Sequence, residues 1–151
     1  MSSHTATIEW TLAGDADFAG GRYSREHSWR FDGGAVVAAS PTPAIVPEPY
    51  SNPACVDPEE AFVASVASCH MLTFLHVASQ RGFTVASYRD DAVGSMTRND
   101  QGAFWISEIV LNPQVSFNGA APTEAQLDDL HADAHEQCFI ANSVKTEILV
   151  G

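Results

Sequence analysis

Hydrophobic and polar residues alternate along the first part of the chain, as they do in a strand with one buried face. Within residues 5–12 (TATIEWTL) the apolar side chains occupy every second position, at Ile8, Trp10 and Leu12. A second extended pair is predicted on either side of the glycine turn at residues 32–34 (DGG). The N-terminal third therefore predicts three strands, the first of which buries its apolar face.

A proline-rich segment follows, with six prolines in residues 40–58 (SPTPAIVPEPYSNPACVDP). Proline lacks a backbone donor and fixes φ, so this segment is predicted to be a loop that could fold over a site. Cys55 lies in this loop. It is interpreted as incidental, or as a thiol that exchanges with an oxidised Cys69.

A long apolar helix is predicted next, from Pro58 to about Arg81. Asp57 supplies a capping side chain, Pro58 suits the first turn, and two glutamates follow at the positive end of the helix dipole. Large apolar residues wrap nearly all round the helix, which predicts a buried central helix. Gly82 is the predicted stop.

The second half predicts a hairpin, a helix and a last strand. Strands are expected over residues 86–97 and 104–117, joined by a turn at residues 99–102. Thr123 and Gln126 form a capping box that opens the second helix, and residues 142–150 return to strand. The order β-β-β-α-β-β-α-β is an α+β fold, predicted as one domain over residues 1–151.

Charge and cysteine content narrow the range of possible functions. The 19 acidic and 7 basic residues give a formal net charge of −12, which repels nucleic acid and anionic membranes. The N-terminus shows no leader pattern and no apolar run reaches the length of a membrane span, so a cytoplasmic protein is expected. Three cysteines are too few for a disulfide framework and favour reactive thiols.

Two of these thiols are predicted to face the core. Cys69 lies in the apolar helix, where a lone cysteine is more often packing than chemistry. Cys138 lies eleven residues after Leu127, which returns it to within about 20° of the same helical face. Two inward thiols on two helices could form an oxidised and a resolving pair.

The segments DPEEAFVASVASCHM (57–71) and HEQCFIANSVKTEI (135–148) resemble the OsmC/Ohr family of thiol-dependent peroxidases. In that family a helix opens with N/D-P-E and reaches its cysteine ten residues after the glutamate, and a second cysteine precedes the turn into the last strand. The resemblance implies an intertwined homodimer with sheets around paired central helices and active sites at the subunit interface. It also implies reduction of organic hydroperoxides or hydrogen peroxide. The expected cycle ends with reduction by an external dithiol and uses no cofactor.

By the same resemblance, Cys69 corresponds to the peroxidatic cysteine, Cys138 to the resolving cysteine and Glu59 to the acidic partner. The family arginine comes from the first hairpin, where Arg25 is the first choice. Arg22 is the runner-up, and Arg30 is a third candidate in the same segment.

The chemistry of a buried thiol supports this set of site residues. A thiol buried among apolar side chains has a raised pKa unless a cation stabilises the thiolate, and an arginine does so. Ten residues of straight helix place Glu59 about 15 Å from Cys69. Either the chain bends near Pro58, the arginine bridges the gap, or the glutamate comes from the other subunit, and the last option makes the dimer obligatory.

Other interpretations remain open. His70 directly follows Cys69 and is interpreted as a core histidine bonded to a backbone carbonyl, or as a group that tunes the thiolate. His131, His135 and Cys138 are spaced i, i+4 and i+7, which suits a zinc-binding protein. A third reading is a non-catalytic, OsmC-like module that binds a small apolar ligand.

Overall fold

The computed structural model describes all residues from Met1 to Gly151 and divides into two compact units, Met1–Ala61 and Phe62–Gly151. The prediction of a single domain stays a prediction. The helices and strands are β1 (Ala6–Glu9), β2 (His27–Phe31), β3 (Val36–Ala39), α1 (Pro58–Gln80), β4 (Thr84–Asp90), β5 (Val93–Arg98), β6 (Phe104–Leu111), β7 (Pro113–Asn118), α2 (Glu124–Gln137) and β8 (Glu147–Val150).

The first unit contains the predicted three-stranded sheet, with β1, β2 and β3 paired antiparallel in that order. The DGG turn closes β2 onto β3, and Gly34 takes a φ of 89° that glycine adopts without strain. The predicted burial of the first strand is wrong: Ile8 is 59% exposed and Trp10 39% exposed. Within the first unit Phe18 and Tyr23 pack against Trp10, but Ile8 stays largely open.

Residues 40–57 of the proline-rich segment form turns and contain no helix or strand, as predicted. Its fold is fixed by buried hydroxyl groups. Ser51 Oγ donates to the carbonyl of Val46 at 2.6 Å, and the backbone N–H of Asn52 donates to Ser40 Oγ at 2.8 Å. The loop is therefore ordered, because serine side chains take the place of a regular backbone ladder.

Helix α1 begins and ends as the sequence predicts. The side chain of Asp57 accepts a hydrogen bond from the N–H of Glu60 at 2.7 Å, and the Glu60 carboxylate accepts from the N–H of Asp57 at 3.1 Å. At the other end Gly82 adopts a φ of 81°, and the N–H of Phe83 donates back to the carbonyl of Ala78 at 3.0 Å. These contacts satisfy the free backbone groups at both ends of the helix.

The burial of α1 differs from the prediction, because only one stripe of the helix is enclosed. Leu72, on another face, is 60% exposed. By length and composition alone α1 could cross a bilayer, although core helices of soluble proteins pass the same test. Its own chain covers one side of the helix and leaves apolar side chains on the other. The buried residues are Val66, His70, Phe74, Val77 and Ala78.

The predicted hairpin is present, but each of its long strands is interrupted. β4 pairs with β7, β5 pairs with β6, and β8 adds to β6 in parallel. At the break Asp90 Oδ1 accepts from the N–H of Asn112 at 2.7 Å, and Asn112 Nδ2 donates to the carbonyl of Asp91 at 3.0 Å. Pro113 has no N–H to donate, so these side chains replace the regular ladder there.

Two apolar clusters fix α1 in the second unit. One joins α1 to α2 through Phe74, Val77 and Leu130. The other packs Val66 of α1 against Ile109 of β6. The N-cap Thr123 and Gln126 form the predicted capping box at the start of α2. The result is that the middle of α1 and the end of α2 lie in one packed region.

Candidate active site

The structure brings Cys69 and Cys138 together, although 69 residues separate them in the chain. Cys69 lies on α1 and is partly buried, whereas Cys138 is 1% exposed and caps the C-terminus of α2. Cys69 lies close enough to Cys138 to raise the pKa of the Cys138 thiol, and both are free thiols. The predicted inward orientation of Cys138 is confirmed, and the two sulfurs adjoin as disulfide exchange requires.

The turn after α2 holds Cys138 in place. The N–H of Ala141 donates to Cys138 Sγ at 3.4 Å. Asn142 Nδ2 donates to the carbonyls of Glu136 at 2.9 Å and Cys138 at 3.0 Å, and the backbone N–H of Asn142 donates to the same Cys138 carbonyl at 3.0 Å. The role of Asn142 was not foreseen from the sequence, although an asparagine just after a predicted helix is a known capping signal.

Electrostatics keep the thiol of Cys138 protonated at rest. Burial raises the pKa of Cys138, and the neighbouring Cys69 side chain raises that pKa further. The backbone N–H of Ala141 acts in the opposite direction and is the weaker influence. A buried thiol of raised pKa is a poor nucleophile until a neighbour changes its surroundings.

Cys69 opens onto a cavity of about 540 Å³ in the second unit. The carbonyl of Cys69 accepts a hydrogen bond from Thr73 Oγ1 at 2.9 Å, one turn further along α1. Most of the wall is apolar, and Phe139 on the rim is 82% exposed. The lining residues are Cys69, Leu72, Thr73, His76, Gln137 and Phe139.

A second cavity, of about 500 Å³, lies in the first unit and contains both Arg25 and Glu59. Its walls are largely aromatic: the rings of Phe18 and Tyr23 stack with centroids 4.6 Å apart, and Trp10 meets Tyr23 edge-on at 5.6 Å. Arg25 supplies a cation and Glu59 a carboxylate at this otherwise apolar surface. The remaining lining residues are Ile8, His27, Pro41, Ile45 and Pro58.

Arg25 is held rigidly in that cavity. Its Nη1 donates to the carbonyls of Gly21 at 2.9 Å and Tyr23 at 2.7 Å, and the guanidinium carbon lies 3.7 Å above the ring of Tyr23. His27 Nε2 accepts from the indole N–H of Trp29, so its Nδ1 carries the proton that it donates to the carbonyl of Arg25 at 2.8 Å. Nη2 and Nε of Arg25 form no hydrogen bond within the chain, which suits anion binding.

The other two arginines of the first hairpin lie elsewhere. Arg22 forms an exposed ion pair with Asp17, and Arg30 forms one with Glu9 at 2.9 Å. Neither lines the cavity that contains Glu59. Of the three sequence candidates, Arg25 is therefore the one that the fold places with Glu59. The four predicted site residues form two pairs, each within one unit.

His70 has a partner that sequence reasoning missed. Its Nε2 lies 3.0 Å from Nδ1 of His131, and both side chains are buried. The expectation that His70 bonds a backbone carbonyl is wrong, because α2 presents the imidazole of His131 at this point. His70 Nδ1 is buried and has no hydrogen-bond partner. Burial, followed by the neighbouring His131 and His135, lowers the pKa of His70 to about 4.

The buried pair of His70 and His131 predicts that the folded protein loses stability in mild acid. The pKa of His70 is lowered from 6.5 to about 4 on folding. Between these two pH values the unfolded chain therefore binds a proton that the folded chain does not bind. Stability is full above pH 6.5 and falls as the pH drops towards 4. We expect about 3 kcal/mol less unfolding free energy from this source at pH 4 than at pH 7.

The measurement is denaturant unfolding between pH 7 and pH 4, comparing the wild type with the double variant His70→Phe/His131→Phe. Subtracting the two curves removes the common contribution of the carboxylates. The exposed His4 provides the control, since His4→Gln should leave the pH dependence unchanged. Equal acid sensitivity in the wild type and the double variant would contradict the prediction.

Residues 51–151, which include Cys69 and Cys138, match the family model described as OsmC-like protein. The chain belongs to the OsmC-like family. The resemblance stated from the two cysteine segments is thereby confirmed.

Solved OsmC-like structures share the whole fold. An OsmC-like protein of unknown function from Vibrio cholerae O1 biovar eltor is 48% identical, covers 100% of this chain and 99% of its own, and superposes with a TM-score of 0.97. An organic hydroperoxide resistance protein OsmC from Legionella pneumophila is 16% identical with a TM-score of 0.70, covering 99% and 96%.

A third OsmC-like neighbour is an organic hydroperoxide resistance protein from Elizabethkingia anophelis, solved with crystallant-derived thiocyanate bound. It is 18% identical with a TM-score of 0.69, covering 99% of this chain and 94% of its own. Among curated proteins the chain has no match. These similarities confirm the α+β OsmC/Ohr fold predicted from the sequence.

The residues of the alternative zinc site, His131, His135 and Cys138, do not form a metal site in this OsmC-like chain. No three side chains among its histidines, cysteines, aspartates and glutamates converge as metal ligands. His131 turns its Nδ1 to His70, and Cys138 turns its thiol to Cys69. The i, i+4, i+7 spacing placed the three residues along one stripe of α2, but Cys138 is the cap, where the backbone leaves the helix with ψ 116°.

Proposed function

We propose that this OsmC-like protein is a cysteine-based peroxidase that reduces hydroperoxides in oxidative-stress defence. The observation that carries the proposal is that the partly exposed thiol of Cys69 neighbours the buried thiol of Cys138. One thiol is accessible to a substrate through a cavity and the other is protected until the first is oxidised. That asymmetry is what a peroxidatic and a resolving cysteine require.

The proposed cycle has three balanced steps. The thiolate of Cys69 attacks the outer peroxide oxygen, so an S–O bond forms, the O–O bond breaks, and the alkoxide takes a proton to leave as alcohol. Cys138 then attacks the sulfur of the sulfenic acid, which forms the disulfide and releases water. An external dithiol reduces the disulfide and becomes a disulfide itself.

Arg25 and Glu59 are proposed to serve the first step. The guanidinium would stabilise the thiolate and hold the peroxide, and Glu59 would orient the guanidinium. Because each pair lies in a different unit of the chain, we propose that the pair Arg25–Glu59 of one subunit acts on Cys69 of its partner in a homodimer. The exposed apolar side chains of β1 and α1 support such an assembly.

The aromatic and aliphatic walls of both cavities support organic hydroperoxides over hydrogen peroxide. A substrate with an apolar tail gains free energy of transfer from water in such a cavity, and hydrogen peroxide gains none. We further propose that the protein is cytoplasmic, where a dithiol reductant keeps its thiols reduced. A module that binds an apolar ligand without turnover is the second candidate, because the first-unit cavity alone would serve it.

The proposal is tested by hydroperoxide consumption with purified, metal-free protein and dithiothreitol. We expect turnover, with kcat/KM for cumene hydroperoxide at least about tenfold above that for hydrogen peroxide, because a few buried methylene groups supply that free energy. Stopped-flow peroxide detection gives both constants. Inert protein that still binds the corresponding alcohol would favour the ligand-binding module instead.

A further inference from the structure

A histidine pair joins α1 and α2 beside the thiols. His70 directly follows Cys69 on α1, and His131 lies seven residues before Cys138 on α2. The two ring planes differ by 7° and their centroids are 5.4 Å apart, with 3.0 Å between the facing nitrogens. This is the geometry of an in-plane N–H···N hydrogen bond, in which the rings meet edge to edge.

The other contacts between α1 and α2 do not fix a relative orientation as a hydrogen bond does. They are the neighbouring thiols, the ring of His131 stacked on Phe74, an apolar cluster around Phe74 and Leu130, and an exposed ion pair between Arg81, just after α1, and Asp133. Apolar packing is not directional, and an exposed ion pair contributes little. The histidine bond is thus the contact that fixes the spacing and rotation of the helices near the sulfurs.

The pair also costs stability that an apolar pair would not. His70 is 1% exposed, and its Nδ1 is buried without a partner. A buried polar atom left unsatisfied is destabilising, whereas two apolar rings of similar size would fill the same space without that loss. Filling the core therefore does not account for two histidines here.

We propose that the His70–His131 hydrogen bond sets the spacing of α1 and α2 at Cys69 and Cys138, which makes both histidines positioning residues for formation of the disulfide. The inference rests on the proposed function in assigning that disulfide to the cycle. Its physical consequence is separate: the bond raises the effective concentration of one thiol at the other, and that quantity sets the reduction potential of the pair.

The test compares three variants in redox equilibrium with reduced and oxidised dithiothreitol at pH 7, with thermal unfolding measured alongside. His131→Phe keeps the ring that packs on Phe74 but leaves His70 Nε2 unpaired. We expect lower stability and about a tenfold lower effective concentration, which makes the reduction potential about 30 mV less negative. His70→Phe/His131→Phe removes both polar partners and should recover the stability.

The potential of the double variant is the deciding measurement. Two phenyl rings prefer tilted or offset packing to an edge-to-edge contact, so the helix spacing should change and the shift in potential should persist. Val77→Ala is the matched control, since Val77 lies in the same cluster between the helices. It should lower the stability without moving the potential.

Recovery of the potential in the double variant, or an equal shift in Val77→Ala, would overturn the inference and leave the proposed peroxidase intact. A wild-type protein that forms the Cys69–Cys138 disulfide but consumes no hydroperoxide would refute the proposed function, while the variant series would still support the positioning role. A wild type that forms no such disulfide would overturn both.

Discussion

Replacing Cys69 with serine is expected to lower hydroperoxide turnover by about 10³-fold or more, because a serine hydroxyl is not ionised at neutral pH and does not attack peroxide oxygen as a thiolate does. Cys138→Ser should behave differently. Without added dithiol, its Cys69 would consume one equivalent of peroxide and then stop as sulfenic acid, because the buried resolving thiol is missing. A burst of one equivalent without turnover distinguishes the two roles.

The measurement is rapid-mixing peroxide consumption, followed by trapping of the sulfenic acid with a 1,3-diketone and intact-mass analysis. Cys55→Ser is the matched control, since Cys55 lies in the first-unit loop, away from both other thiols in the sequence. It should turn over like the wild type. Full activity of Cys69→Ser, or loss of activity in Cys55→Ser alone, would refute the assignment.

Activity should be regained when two inactive chains are combined in one dimer. Arg25→Gln removes the cation of the first-unit cavity and is expected to lower kcat/KM by roughly 10²-fold. If Arg25 of one subunit acts on Cys69 of the other, a heterodimer of Arg25→Gln and Cys69→Ser contains one complete site. It should then show about half of the wild-type activity.

The heterodimer is made by co-expression with two different affinity tags and purified on both. Its control is the heterodimer of Cys69→Ser with Cys138→Ser. The two thiols are neighbours within one chain, so neither chain of this control has a complete pair and it should not turn over. Inactivity of the first heterodimer, or turnover by a demonstrably monomeric protein, would contradict the proposed site.

Local sequence signals predicted the helices and turns correctly because the contacts that form them are local. The capping boxes at Asp57 and Thr123, and the glycine that ends α1, each involve partners at most five residues apart. Their hydrogen bonds form wherever the chain folds. The same holds for the turn at Asn99, whose side chain accepts from two backbone N–H groups.

Burial was predicted less well, because it depends on which surfaces the fold covers. The alternation around Ile8 and the apolar surface of α1 both indicated burial, yet Ile8 and Leu72 are exposed in this chain. The periodicity was recognised correctly, but a pattern does not specify whether the layer that covers it comes from the same chain.

The sequence by itself determined the two helices, the three-stranded N-terminal sheet, the hairpin, the inward orientation of Cys138 and, through two cysteine segments, the OsmC-like family. Only the tertiary structure decided that Cys138 meets Cys69, that Arg25 and not Arg22 or Arg30 shares a cavity with Glu59, and that His70 bonds His131. Those contacts join distant residues, and packing between elements sets their geometry. No local backbone preference specifies it.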